Sequence, residues 1–559
     1  MYDDWGISDG YFDVAGSWHP TSDRTRAQIR AAMGDPQPGP PLWFVAVGEP
    51  HALWNTCRLV LEDGTDVGNV NQLPADLPLG YHDLIPGDGG PTTRLIVHPG
   101  ASHQIPRAWG VAAQIYALWS KDSWGIGDLA DLAKLATTVY AHGGRAILIS
   151  PLHQPAPSFP QEPSPYYPSS RRTWNPLLLA IDRSPPTVLV CEPHAFVQRD
   201  AAWTAKRKAL EAQFEAWPSA PGLPTTVAIW NAICDEHGPN WQTWPTTLRS
   251  SDRLALAQAL ADDRALARRA IFHQWCQERV CEQLQQVTAT GIHLIGDMAI
   301  GFSPNGADAW EYQQSLALGM RIGAPPDPFN AAGQDWGIPP FVPWRLRNEL
   351  YRPFIDTVQA CLRGVAGIRI DHIMGLFRQF WVPAGDSAAN GAYVCFPSEE
   401  LLAILCLEAV RANAFVVGED LGTVEPHIRD VLAVRNIAGT RVAWFENEPP
   451  SQWPESCLAS VTTHDLPTIA GVLHDGDNTL TKRIRALSRA NVPASVIDDV
   501  HQALLDSPAR LRLLSMDDVC AATEQANLPG TVGGANWRRR LPKSVDDLNY
   551  FDRTVSRTP

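Results

Sequence analysis

The stretch VAGIRIDHI, residues 365–373, is a nearly unbroken apolar run that closes on an acid, and three others share its form: IHLIGDMAI (292–300), AFVVGED (414–420) and LASVTTHD (458–465). These runs lack the apolar–polar alternation of a half-exposed strand, as expected for strands buried on both faces of a parallel sheet. Working outward, four more strand candidates appear: VAAQIYAL (111–118), GRAILISPL (144–152), RVAWF (441–445) and LRLLSMDDV (511–519). Amphipathic patterns such as DLADLAKLATTVYAHGG (128–144) and EELLAILCLEAVRAN (399–413) fill the gaps. Eight strand–helix repeats predict an α/β fold, a (β/α)8 TIM barrel.

The barrel occupies residues 101–559 in this reading. The longest insertion, at about 184–285 between the second and third strands, is helical. Phe272, Trp275, Cys276, Val280, Leu284 and Val287 recur there at three- and four-residue spacing, a core-packing stripe. NWQTWP, around Trp241 and Trp244, reads as a surface loop of the insertion. Residues 1–100 read as a small β-rich module: a helix near Thr25–Met33, then LWFVAV, CRLVLEDG, LPLGYHDL and TRLIVHPG punctuated by Gly, Pro and Asp.

The chain has 559 residues, 45 basic and 60 acidic side chains and a formal charge of −15. That balance disfavours a nucleic acid or an anionic membrane as partner and fits a neutral substrate. No stretch reaches the roughly 20 apolar residues of a membrane helix. The acidic start MYDDWGISDGYFD lacks the features of a secretory signal, so a cytoplasmic location is expected. Ten cysteines in no paired spacing fit reduced thiols. Many of the 21 tryptophans lie in Gly/Pro-rich segments, where aromatic faces can grip sugar rings, although core packing is the simpler reading for any single one.

Reactive residues of such barrels sit at the C-terminal ends of strands. Strand three ends near Asp297, strand four at Asp371, strand five at Glu419 and strand seven at Asp465. Four carboxylates at one mouth imply chemistry or a metal. Arg369, two residues before Asp371, faces the same side and competes with a cation for that carboxylate, which favours glycoside chemistry over Mg²⁺ or Ca²⁺. A glycosidase needs one ionised and one protonated carboxyl group. Asp371 beside Arg369 suits the nucleophile; Glu419, with acidic neighbours that raise its pKa, suits the proton donor; Asp465 suits hydrogen bonding to sugar hydroxyls.

GIRIDH (367–372), GED (418–420) and TTHD (462–465) resemble conserved regions of the α-amylase superfamily, with IGDMAIG (295–301) in the place of its first region. SWGIGDLADL (123–132), SPYYPSSRRTWNP (164–176), GAPPDPF (323–329), GQDWGIPPF (333–341), GEDLGTV (418–424), THDLPTIAG (463–471), NLPGT (527–531) and NWRRRLP (536–542) resemble signatures of the amylomaltases, or 4-α-glucanotransferases. The similarity runs over about residues 105–545. It implies Asp371 as nucleophile, Glu419 as general acid/base and Asp465 as transition-state stabiliser. It also implies that Arg369, His464 and Asp297 hold the sugar at the cleavage subsite, that Tyr166 stacks on that sugar, and that Gln334 and Trp336 lie on a loop arching over the cleft. No metal or organic cofactor enters such chemistry.

The resemblance thus implies a retaining transfer of α-1,4-glucan segments between maltooligosaccharides, with glucose or maltose as acceptors. A hydrolase on the same scaffold, and a silent glucan-binding protein, are the alternatives. The run RRR (538–540) reads as a solvated turn, and His142, His153 and His293 as structural. Chain-length preference and oligomeric state leave no signature in the residues.

Overall fold

The computed structural model describes all residues except 14–15, 190, 194, 218–222, 327–331, 423, 477, 491 and 552–559. Residues 327–329, the end of GAPPDPF, therefore lie outside the described residues. The chain forms two compact units. One comprises residues 105–311, 364–371 and 438–559, the other residues 1–104, 312–363 and 372–437.

The apolar runs form an eight-stranded sheet: β1 (Ala108–Ala113), β2 (Ala146–Ile149), β3 (His293–Met298), β4 (Gly367–Ile370), β5 (Phe415–Gly418), β6 (Gly439–Val442), β7 (Cys457–Ser460) and β8 (Leu511–Ser515). Its spatial order is β5-β4-β3-β2-β1-β8-β7-β6, with β8 beside β1. The pairings β1–β2, β2–β3, β3–β4, β1–β8, β8–β7 and β7–β6 are all parallel. This is the (β/α)8 barrel expected from the sequence. Every residue of β4, β5 and β7 is buried, which explains the absence of alternation. Three strands, β1, β6 and β7, sit earlier than their sequence candidates, β7 stopping at Ser460, and residues Met516–Val519 of the eighth candidate are helical. After Ala113 the chain turns into a 3₁₀ segment, Ile115–Ala117, and β6 stops at Val442, so that Trp444 falls in a turn.

Between β2 and β3 lie helices Arg199–Glu215, Thr226–His237, Arg253–Asp262 and Arg264–Thr288. The stripe Phe272 to Val287 is buried as its spacing predicts. Trp241 and Trp244 are not surface residues: both are buried, with Trp241 Nε1 donating to Pro304 O at 3.1 Å and Trp244 Nε1 to Gly238 O at 2.8 Å. Trp244 packs against Trp230 and Trp310, so this short polar-looking segment closes an aromatic cluster. Arg540 likewise departs from the solvated turn expected of RRR. It is buried and donates to Gly125 O.

The other unit contains a five-stranded sheet ordered Leu42–Ala46, Thr93–His98, Gly80–Pro86, His51–Val60 and Asp66–Leu73, around Val45, Leu59, Leu73, Leu84 and Leu95. On it lies helix Ser398–Arg411, through Leu407 against Tyr81 and Ile96 and through a 2.7 Å bond from Tyr81 Oη to Glu408. A four-stranded antiparallel sheet runs Gln334–Ile338, Met320–Ala324, Arg378–Pro383, Ala392–Cys395. Among the described residues, no helix is long and apolar enough to cross a membrane.

The helix Leu129–Ala141 begins at a capping box in which Asp128 accepts from Ala130 N and Asp131 N. Asp128 also takes the fully buried Lys206, whose Nζ lies 3.3 Å from Asp128 Oδ2 and donates to Leu177 O at 3.1 Å and Leu179 O at 2.8 Å. Removing one partner of a buried pair leaves the other uncompensated. Lys206→Ala is therefore expected to lower stability by about 3–5 kcal/mol, read from the urea midpoint, and Lys206→Met, which keeps the stem's packing, by less.

Candidate active site

The parallel register of β3 and β4 sets Asp297 opposite Arg369. Side chains on directly paired positions face the same way, so the guanidinium meets the carboxylate: Arg369 Nη1 donates to Asp297 Oδ1 at 2.7 Å and Oδ2 at 2.8 Å. The same nitrogen lies 3.1 Å from Asp371 Oδ1. Arg369 and Asp297 are buried, while the Asp371 side chain keeps 20% exposure. One cation thus serves two acids, the inner locked and the outer reachable from solvent.

The SPYY segment adds Tyr166, whose hydroxyl donates to Asp297 Oδ2 at 2.7 Å. Its ring stacks on His464, with centroids 4.8 Å apart, and Trp537 lies 5.4 Å from Tyr166 and 5.2 Å from His464. Past the end of β7, His464 Nε2 is 3.3 Å from Asp465 Oδ2, and Asn527 Nδ2 donates to Asp465 Oδ1 at 2.7 Å. Gln525 Nε2 donates to the Asp465 carbonyl, and Trp444 Nε1 holds the same loop through Pro467 O, each at 2.8 Å. Six sequence-predicted residues therefore meet in one cluster: Tyr166, Asp297, Arg369, Asp371, His464 and Asp465.

Electrostatics follow from these contacts. Burial opposes charging of His464, but the Asp465 carboxylate prevails and raises its pKa. Burial works against ionised Asp465, and the attraction and hydrogen bond of His464, with Asn527 and Arg369, hold it below the usual carboxylate range. Burial, then the Asp297 charge, pushes the Tyr166 phenol well up, so its hydroxyl stays a donor.

In the other unit Glu419 follows β5. Both oxygens are oriented by backbone donors, His372 N to Oε2 at 3.1 Å and Leu421 N to Oε1 at 2.7 Å. His372 is left-handed, with φ +46°, and Ile373 N donates to Glu419 O at 3.1 Å. A Cβ on Gly418 would sit 2.6 Å from Ile373 Cδ1, so only glycine fits before the acid. Asp420 is buried and its Oδ2 accepts from Arg429 Nε at 2.9 Å, so the acidic neighbour expected to act on Glu419 has a cation of its own. Trp336 Nε1 donates to Gln334 Oε1 at 2.9 Å, and the Trp336 ring stands edge-on to His372 at 5.4 Å. Among the described residues no group of three or more His, Cys, Asp or Glu is arranged to hold a metal ion.

Sequence reasoning assigned no role to Asn527, Gln525, Trp537 or Trp444. The signal was present for two of them, since NLPGT and NWRRRLP carry Asn527 and Trp537. What sequence does not display is that these distant segments fold back onto Asp465 and His464.

A family profile described as 4-alpha-glucanotransferase matches residues 113–546. The 4-alpha-glucanotransferase of Mycobacterium tuberculosis is 37% identical over 663 aligned positions, covering 96% of this chain and 90% of that protein. That of Haemophilus influenzae is 30% identical over 79% of this chain and 71% of its own length. In structure, the chain is similar to amylomaltase from Corynebacterium glutamicum, with a TM-score of 0.83 and 27% identity over 99% of this chain and 98% of that one. It shares a fold with Streptococcus agalactiae amylomaltase, solved in complex with acarbose, at a TM-score of 0.69 and 21% identity over 80% and 98%.

The His464–Asp465 pair yields a pH prediction. The raised His464 contributes stability below its ordinary value near 6.5, lost as pH rises through its folded value; the depressed Asp465 contributes above about 3.8, lost as pH falls through its own. The pair is thus strongest between the two. In Asp465→Asn, burial of His464 loses its main opponent, and the His464 titration followed by NMR is expected to move down, to below its wild-type value.

Proposed function

The chain belongs to the 4-α-glucanotransferase family and has the amylomaltase fold, and from that premise we propose a retaining double displacement on α-1,4-glucans. Asp371 attacks the anomeric carbon of the donor while Glu419 protonates the departing glycosidic oxygen. The C–O bond breaks as the Asp371–carbon bond forms, with inversion. Glu419, now ionised, takes the proton from the 4-hydroxyl of an acceptor. The acceptor oxygen displaces Asp371, and the second inversion restores the α-linkage.

One observation carries this reading: the Arg369 nitrogen 3.1 Å from Asp371, itself anchored on both oxygens of Asp297. A fixed guanidinium keeps a half-buried carboxylate ionised, as a nucleophile must be. Asp465, held by Asn527 and His464, hydrogen-bonds sugar hydroxyls and meets the positive charge developing at the anomeric carbon. Tyr166 offers a sugar ring the face that His464 does not cover. Gln334 and Trp336 shape the acceptor side, where displacement of water favours transfer over hydrolysis. The substrates are maltooligosaccharides and longer α-1,4-glucans, with glucose or maltose as acceptors. Residues 101–559 constitute the catalytic part with its helical insertion at about 184–285, residues 1–100 an accessory module, and the location is cytoplasmic.

Incubation with maltotriose is expected to give a ladder of longer and shorter oligosaccharides at constant reducing-end count. Rising reducing ends would instead identify a hydrolase. Asp371→Asn is expected to lower kcat by on the order of 10⁴-fold or more, because a covalent step loses its nucleophile. Glu419→Gln should lose transfer from maltotriose yet still form a glycosyl–enzyme from α-maltosyl fluoride, whose leaving group needs no proton. Mass spectrometry of the intact protein reads that adduct.

A further inference from the structure

A second polar site lies in the barrel unit, beside the segment that carries Tyr166. It is a small cavity, lined by Tyr116, Glu162, Ser164, Asn175 and Arg199 together with several prolines. Arg199 opens the helix Arg199–Glu215 and is only 9% exposed. Its Nη1 has no hydrogen-bond partner, and its guanidinium lies 4.7 Å from the centre of the Tyr116 ring. The Tyr116 hydroxyl, on a side chain 5% exposed, has none either.

Two buried donors with nothing to donate to are costly, and a buried cation is more so. The aromatic face offsets part of the charge. Glu162 offsets a further part, but its Oε1 also accepts from its own loop, at Ser164 N, 2.8 Å away, and burial pushes its carboxyl above the ordinary range. Arg538 adds further positive charge nearby. Proline walls present no N–H donors and no charge. Water would satisfy the donors alone, whereas a small oxyanion satisfies them and meets the charge that Glu162 leaves.

We propose that this cavity binds a small oxyanion of the inorganic phosphate class, held by Arg199 Nη1 and the Tyr116 hydroxyl, and that its binding stiffens the segment from Glu162 to Pro168. Ser164 and Pro165 border the cavity, and Tyr166 is the next residue. An anion there braces the loop whose tyrosine holds Asp297. This second effect rests on the role given to Tyr166 above; the binding itself does not.

The two are measured separately on the full chain at constant ionic strength, with chloride as the balancing anion. Without sugar, phosphate is expected to raise the thermal midpoint in a saturable way, by about 1–3 °C. Arg199→Gln should abolish the rise. Tyr116→Phe, which keeps the ring and loses one neutral hydrogen bond, should weaken apparent phosphate affinity about 2–10-fold. A wild-type midpoint indifferent to phosphate, or the same rise in Arg199→Gln, overturns the site. If Arg199→Gln does not fold, Tyr116→Phe decides: an affinity equal to wild type overturns the assignment. With maltotriose, phosphate is expected to lower KM in wild type and leave kcat and KM of Arg199→Gln unchanged. A saturable midpoint shift with no change in KM overturns the stiffening alone, and transfer activity without phosphate leaves the proposed function intact.

Discussion

The Arg369 guanidinium, shared between Asp297 and Asp371, is the interaction on which the site depends. It exists because β3 and β4 pair in parallel with Asp297 directly opposite Arg369. A slip of one residue would turn every side chain on the strand to the opposite face and leave a buried guanidinium against apolar neighbours. The buried Leu294, Ile295 and Met298 of β3 and Ile368 and Ile370 of β4 therefore do more than fill the barrel. By fixing register they fix which acid meets the guanidinium on both oxygens and which lies beside it at the strand's end. That arrangement is set by backbone pairing.

Much of this was legible in the sequence because it follows from local pattern. Buried parallel strands announce themselves by unbroken apolar runs, and an acid at the end of such a run points to the mouth of the barrel. Asp297, Asp371 and Glu419 could each be placed at a strand end in that way, and Arg369 on the same side as Asp371 by the period of two, whereas Asp465 stands in a turn beyond β7, which stops at Ser460. Helices announced themselves through amphipathic stripes, as with the buried face from Phe272 to Val287.

Partnerships made across long sequence separations were not legible. Trp241 and Trp244 lie in a polar, proline-containing segment that resembles a loop, yet their indole nitrogens find the carbonyls of Pro304 and Gly238. Arg540 stands in a run of three arginines, and only the fold places Gly125 beside it. Asn527 bonds Asp465 across 62 positions. A neutral amide carries no charge or hydrophobic signal by which sequence alone could assign it to a carboxylate. Such residues do the finer work of aiming, and aiming is a tertiary property.

The balance of charge in the cluster is also tertiary, and it bears on the proposed reaction. Three carboxyl groups, Asp297, Asp371 and Asp465, gather with one guanidinium. Left so, they would repel, and one would tend to take up a proton. His464 changes the count: Asp465 draws its pKa up against the cost of burial, so the imidazole takes a proton more readily than a free one and offsets part of the carboxylate charge. That residue of charge is useful. In the proposed reaction a neutral glucan would meet no strong field on arrival, and as the glycosidic bond stretches and the sugar becomes cationic the excess of carboxylate would act on it. In the double displacement proposed above, binding energy would thereby be withheld from the ground state and delivered at the transition state.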